Sequence, residues 1–296
     1  MPSKPIVVAN WKASTLTLKE AEKKIIDTYA QLGRDAAKVN LVFAPTYTHL
    51  AMLSALFAGS ISWKSKKNAK KPKKGKKAAS SKLPKVTLAG QDISMFEGGS
   101  KTGEVPAEAL KDAGAARVII GHSERREMGD TRDDIVAKVK MALAYKLDVI
   151  LCIGEKVRDS GVEYLKTIID QVTSVFGAID KKSHASITIA YEPVWAINNK
   201  ENKSLDAHGL HSMVVFIRKL LLERYGETTS KGVAILYGGS VTPENAQDIL
   251  WNGEVQGLLV GRVSFEAESL AKVVRAILIN PKKNILKTYG VPKKHS

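Results

Sequence analysis

Short, unbroken apolar runs recur along the whole chain: Ile6–Ala9, Leu41–Ala44, Val86–Ala89, Val118–Ile120, Val149–Ile153, Ile187–Ala190, Val233–Leu236 and Leu258–Val260. They are rich in Val, Ile and Leu and show no clear polar alternation, which is the pattern of strands covered on both faces. Stretches of helical type lie between them, among them Leu18–Leu32, Ile135–Tyr145, Tyr164–Phe176, His211–Tyr225 and Ala246–Trp251. Two helix starts are marked. Thr17 stands ahead of Leu18-Lys19-Glu20 as a cap, and Thr242-Pro243-Glu244 puts a proline at an expected first helical position.

Strand then helix, repeated along the chain, predicts an α/β fold with a parallel sheet and helices outside it. Eight strands favour closure into a single (β/α)8 barrel. The runner-up, an open doubly wound sheet, is disfavoured because no Gly-x-Gly-x-x-Gly turn follows the first run; Asn10-Trp11-Lys12 stands there instead. In a barrel, function gathers where strands end, at the C-terminal face. Asn10 and Lys12 follow the first run, Gln91 the third, His122 the fourth and Glu192 the sixth. Cys152 to Glu155 close the fifth, Tyr237-Gly238-Gly239-Ser240 follows the seventh, and Gly261 follows the eighth.

The 296 residues fit one domain, 1–296, with a core large enough to need neither disulfides nor metals. Cys152 is the single cysteine, so no intrachain disulfide forms, which fits a reducing, cytoplasmic setting. The N-terminus lacks the apolar segment of a signal peptide, and no apolar run is long enough to span a membrane. The net charge of +16 is confined to two places. Eleven lysines lie between Lys64 and Lys85 and five follow Pro281, with no acid in either stretch. These sixteen charges account for the whole excess, so the body is formally neutral, unlike a DNA-binding fold with a basic stripe on its surface. Residues 64–82 are expected to form a disordered basic insertion before strand three, anchored near Trp63, and residues 281–296 a basic C-terminal tail. Lys64–Lys85 offers weak polyanion binding through counterion release, against the plainer reading of a solvated loop. No aromatics interleave the lysines, so base stacking is not indicated.

Seven motifs in order give the chain a specific resemblance: Asn10-Trp11-Lys12, Gly90-Gln91, Thr102-Gly103-Glu104, Gly121–Arg126, Cys152-Ile153-Gly154-Glu155, Tyr191–Trp195 and Tyr237–Ser240. From Pro5 to about Ile279 the chain resembles the triosephosphate isomerase family. The resemblance implies a TIM barrel that interconverts dihydroxyacetone phosphate and glyceraldehyde 3-phosphate in glycolysis and gluconeogenesis, without a cofactor. It also implies a homodimer, with Thr102 and Glu104 on an interface loop that enters a pocket of the second subunit near Lys12.

The residue types suit that chemistry. Glu192 ends a buried strand and is the expected general base, since a carboxylate in a dry site becomes a better one. His122 precedes what looks like the first turn of a helix, Ser123 to Glu127, whose N-terminus disfavours an imidazolium; it is the expected electrophile. Lys12 offsets phosphate and oxyanion charge and Asn10 donates to the same substrate oxygen; the resemblance implies that Ser123 and Glu124 support them, with Glu124 expected to pair with Lys12. Gly238, Gly239 and Ser240 bring backbone N–H groups to an anion, and Gly261 does so after the eighth strand. His122 is the only strand-end histidine, so no metal site is evident.

Two departures fall on the phosphate side. Where the family typically reads Gly-Thr-Gly-Lys after Ala-Ile, Asn198-Asn199-Lys200-Glu201 follows Ala196-Ile197. Asn198 tolerates positive φ and keeps the expected substrate-binding donor; Lys200 is less permissive. Where the family has Gly-Gly after the last strand, Gly261-Arg262 stands here. Arg262 either strengthens the anion site with a two-pronged donor, crowds it or points away. An active isomerase with altered lid kinetics and a raised KM is expected. The alternative is a relative with weakened activity whose lysine insertion binds nucleic acid or another polyanion.

Overall fold

The computed structural model describes residues 4–59, 85–158, 161–197 and 205–281. The expected lysine-rich insertion at 64–82, its expected anchor Trp63 and the tail beyond residue 281 lie outside them, as do Asn198 to Ser204 of the expected lid.

Every one of the eight apolar runs forms a strand. They are β1 (Ile6–Asn10), β2 (Asn40–Ala44), β3 (Thr87–Gly90), β4 (Arg117–Ile120), β5 (Asp148–Ile153), β6 (Ile187–Tyr191), β7 (Ala234–Tyr237) and β8 (Gly257–Val260). The strands close into a barrel in chain order, with all neighbours parallel and β1 sealing against β8 at Ile6 opposite Gly257. Parallel neighbours need a return crossover, and helices supply it.

Both faces of each strand are buried, in two separate cores. Val7, Ala9, Leu41, Phe43, Leu151 and Ile189 face outward into the layer shared with the helices. Val8, Val42, Ala44, Ala89, Ile119, Ile150, Cys152, Ala190, Leu236 and Leu259 fill the barrel interior. This double burial is why the runs show no polar alternation. The inward register also positions the site. Side chains alternate with period two along a strand, so one step beyond the last inward residue leads to the barrel mouth. From Val8 that step reaches Asn10, from Ala89 Gln91, from Cys152 Gly154, from Ala190 Glu192, from Leu236 Gly238 and from Leu259 Gly261.

The helices form by the usual logic of one apolar stripe. In Leu18–Leu32, the buried residues Ala21, Ile25, Thr28 and Leu32 recur three to four apart, and the Thr17 hydroxyl accepts from Glu20 N at 3.2 Å. Such a cap is worth about 1 kcal/mol. The second expected start lies one turn ahead of the regular helix. Helix Ala246–Asn252 begins after Asn245, and Thr242-Pro243-Glu244 forms the turn before it. Asn245 Oδ1 accepts from Thr242 N at 2.8 Å while the Thr242 hydroxyl accepts from Asn245 N at 3.4 Å. That reciprocal pair has the form of a capping box, and Ala246 N also donates to Thr242 O at 3.0 Å, so Pro243 supplies its fixed φ to a helical turn that leads directly into the helix.

Candidate active site

The C-terminal mouth of the barrel holds a cleft of about 1100 Å³. Asn10, Lys12, His122, Ser123, Glu124, Glu192, Gly238, Gly239, Ser240, Gly261 and Arg262 all line it. Thr102 and Glu104 do not; they sit exposed on a separate loop. Asn198 lies outside the described residues.

Lys12 has φ of +49°, a left-handed conformation that costs a non-glycine residue about 1–2 kcal/mol. One side chain from β1 and one just past β3 hold it: Asn10 Oδ1 accepts from Lys12 N at 3.0 Å, and Gln91 Nε2 donates to Lys12 O at 2.8 Å and to Ala44 O at 2.9 Å. With its Oδ1 engaged, Asn10 keeps its amide N–H groups for the cleft. The Lys12 ammonium donates to Glu124 Oε1 at 2.6 Å, the pairing expected from sequence.

His122 caps the five-residue helix Ser123–Glu127 with its own ring: Nδ1 accepts from Glu124 N at 3.2 Å. That bond assigns the ring nitrogens. Nδ1 needs its lone pair, so the neutral ring carries its proton on Nε2. Nε2 lies 3.5 Å from Glu192 Oε1.

Glu192 is 2% exposed. Its Oε2 accepts from Ser123 N at 3.1 Å, so the carboxylate rests on the first N–H of helix Ser123–Glu127. Two glycines make room for it. A Cβ on Gly154 would lie 1.7 Å from Glu192 O, and one on Gly238 would lie 2.8 Å from Glu192 Cγ. The strand ends flanking Glu192 can approach this closely only without side chains.

Several contributors stood in the quoted motifs without a role legible from sequence. The Cys152 thiol lies buried beside Glu192, and burial, then the adjacent carboxylate, push it well above its ordinary value of 9.0. Arg126 staples the ends of β4 and β5, donating to Gly121 O at 2.7 Å and Cys152 O at 3.0 Å. Trp11 Nε1 donates to Ser264 O at 3.1 Å, tying β1 to the turn after β8. Glu155 Oε1 accepts from Tyr191 Oη at 2.9 Å and Trp195 Nε1 at 2.8 Å, fixing the chain that leaves Glu192. Only their places at strand ends or in motifs marked them; their partners are backbone groups or distant side chains.

Among the described residues, no group of three or more His, Cys, Asp or Glu is placed to hold a metal ion. What the cleft offers is a buried carboxylate, a neutral imidazole N–H and an ammonium, converging beside glycine-rich turns.

A family model described as triosephosphate isomerase matches residues 71–277. Similar proteins named triosephosphate isomerase include one from Treponema denticola, 33% identical over 270 residues, which span 90% of this chain and 96% of the relative. One from Citrifermentans bemidjiense is 35% identical over 276 residues, 92% of this chain and 98% of the relative. Another, from Trichlorobacter lovleyi, is 36% identical over 275 residues, again 92% and 98%. By fold, by matched length and by these relatives, the chain belongs to the triosephosphate isomerase family.

Proposed function

We propose that Glu192 and His122 carry out the family's aldose–ketose isomerisation of a triose phosphate in this chain. The reaction moves one proton between adjacent carbons and needs no external oxidant. Glu192 removes the proton from the carbon beside the carbonyl and returns it to the neighbouring carbon. Between these steps the substrate is an enediolate; His122 Nε2–H hydrogen-bonds its oxygens, giving a proton to one and regaining one from the other so that the hydroxyl proton moves across, while Lys12 offsets their charge. Asn10 donates to the same oxygens. The observation that carries this reading is the 3.5 Å approach of His122 Nε2 to the buried Glu192 carboxylate, with both residues bound to the first turn of one helix.

The Gly238 N–H, expected to face the anion, instead donates to Tyr191 O at 2.8 Å, so the phosphate is assigned to Gly239, Ser240 and Gly261 in the turns after β7 and β8, with the Lys12 stem near Gly261. Arg262 is exposed and also lines this end, which supports a role as a phosphate ligand in place of the second glycine. Asn198 completes the proposed clamp.

A homodimer in the cytoplasm is part of the same proposal. The loop from Ser94 to Val105 is closed at its neck by Ser94 N donating to Val105 O at 2.9 Å, and it exposes Thr102 and Glu104. Leu16 and Met128 add apolar surface, 79% and 75% exposed, which a second subunit would cover. No helix among the described residues is long and apolar enough to cross a membrane. Weak polyanion binding through Lys64–Lys85 stays a separate proposal resting on charge alone. A salt-dependent gel shift with a 64–82 deletion tests it, and equal binding by both proteins removes it.

Steady-state turnover of glyceraldehyde 3-phosphate, with molecular mass measured on the same preparation, tests the main reading. Turnover by a dimer is expected. Undetectable turnover in folded dimer overturns the residue assignments.

A further inference from the structure

The helix Ser123–Glu127 is the common anchor of the chemical groups. Its Ser123 N–H holds Glu192, its Glu124 N–H holds His122, and the Glu124 carboxylate holds Lys12. Five residues make too short a helix to be stable alone, so its position depends on what grips its flanks. Arg126 grips the barrel side. On the other side Arg125 reaches two carboxylates. Its Nη2 donates to Asp130 Oδ1 at 3.3 Å, and its Nε lies 2.8 Å from Asp92 Oδ2 in an off-axis charge contact.

Lys138, on helix Arg132–Ala144, completes the group. It is 4% exposed and donates to Asp92 Oδ2 at 2.8 Å and Asp130 Oδ2 at 2.5 Å. Two cations therefore share two carboxylates; Lys138, Asp92 and Asp130 are mostly buried while the Arg125 side chain is 41% exposed, so removing a carboxylate leaves Lys138 with an uncompensated charge. Asp92 is the member that ties this cluster to the end of β3. It follows Gln91, which itself holds the strained Lys12 backbone and Ala44.

We propose that Asp92 is a positioning residue of the catalytic centre, fixing through Arg125 the short helix to which Glu192, His122 and Lys12 are bound. It contacts none of the reacting groups itself. Rigid placement matters because a displacement of about 1 Å can cost on the order of 100-fold in rate. The inference rests on the roles assigned above to Glu192 and His122.

The test separates positioning from bulk stability with two variants. Asp92→Asn keeps the shape and removes the charge, so Arg125 and Lys138 are left sharing Asp130. Adding Lys138→Met rebalances the cluster to one cation and one carboxylate without restoring the hold of Asp92 on Arg125. Melting temperature is expected to fall in the single variant and recover in the double. In both, kcat is expected to fall about tenfold or more while KM stays within about threefold, and the 15N resonances of the His122 ring shift. Full recovery of kcat in the double variant, with His122 resonances matching the parent, overturns the proposal. Glu192→Asp and His122→Gln are measured alongside. If they keep full turnover, the role assignment fails and this inference with it. If they collapse and the Asp92 variants do not, only the positioning role fails.

Discussion

Gly238→Ala perturbs the catalytic carboxylate with a single methyl group. The Gly238 backbone is not left-handed, so alanine brings no conformational strain; the effect is steric. The added Cβ would lie 2.8 Å from Glu192 Cγ and 3.4 Å from Oε1, where ordinary contact begins at 3.4 Å. The Glu192 side chain must therefore retreat by about 0.6 Å or more. It has little room to do so: Ser123 N holds Oε2, His122 faces Oε1, and the buried Cys152 lies alongside. A displacement of this order at a reacting group corresponds to a loss of about 10² in kcat, or about 2.7 kcal/mol of activation free energy. Overpacking should lower stability by about 1–3 kcal/mol. Because the phosphate contacts proposed for Gly239 and Gly261 are untouched, KM should change by no more than about threefold. Steady-state kinetics with a urea melt reads both effects. Parental kcat in a protein whose structure shows Glu192 unmoved would refute the steric reasoning; parental kcat with Glu192 displaced would refute its role as base.

Glu124→Gln keeps a hydrogen-bonding group near Lys12 but removes its charge. Both side chains are partly exposed, so stability should change by less than about 1 kcal/mol, while KM for the triose phosphate rises about threefold or more as the ammonium loses its fixed position. Unchanged KM contradicts this. Cys152 should resist Ellman's reagent in the native protein, because burial and Glu192 keep the thiol neutral, and should react fully in denaturant; rapid native reaction contradicts it. Asp134 accepts from the Thr131 hydroxyl and N–H in a capping box, which lowers its pKa below the ordinary 3.8. A depressed carboxyl contributes stability above the unfolded value and loses it as pH falls through the folded one. The melting-temperature gap between parent and Asp134→Asn should thus narrow as pH falls below about 4, and a pH-independent gap contradicts the linkage.

The strands were legible because each is buried on both sides and leaves an unbroken apolar run. The same fact hid the register. With both faces apolar, nothing in Leu151-Cys152-Ile153 says that Cys152 points inward and meets Glu192. The motif residues were found because chemistry gathers where strands end. Apart from the Lys12–Glu124 pair, their partners were not, since Ser123 holds Glu192 through a backbone N–H, and Asp92 meets Lys138 across 46 residues of sequence. Thr242-Pro243-Glu244 was legible as a helix start because cap chemistry is local: Thr242 and Asn245 exchange bonds across one turn, three residues ahead of the regular helix. The eightfold repeat of strands predicted closure, and the pairing of β1 with β8 provides it.

Proton transfer by Glu192 is tested most directly by isomerising glyceraldehyde 3-phosphate in D2O and following the reacting carbons by 1H NMR. The parent protein should form dihydroxyacetone phosphate carrying deuterium at the carbon that receives the proton, because a carboxyl proton exchanges with solvent before it is returned. Glu192→Gln should lose both turnover and exchange by about 10³-fold or more, while still binding a triose-phosphate analogue. Deuterium incorporation at the parental rate in Glu192→Gln would contradict the assignment of Glu192 as the base.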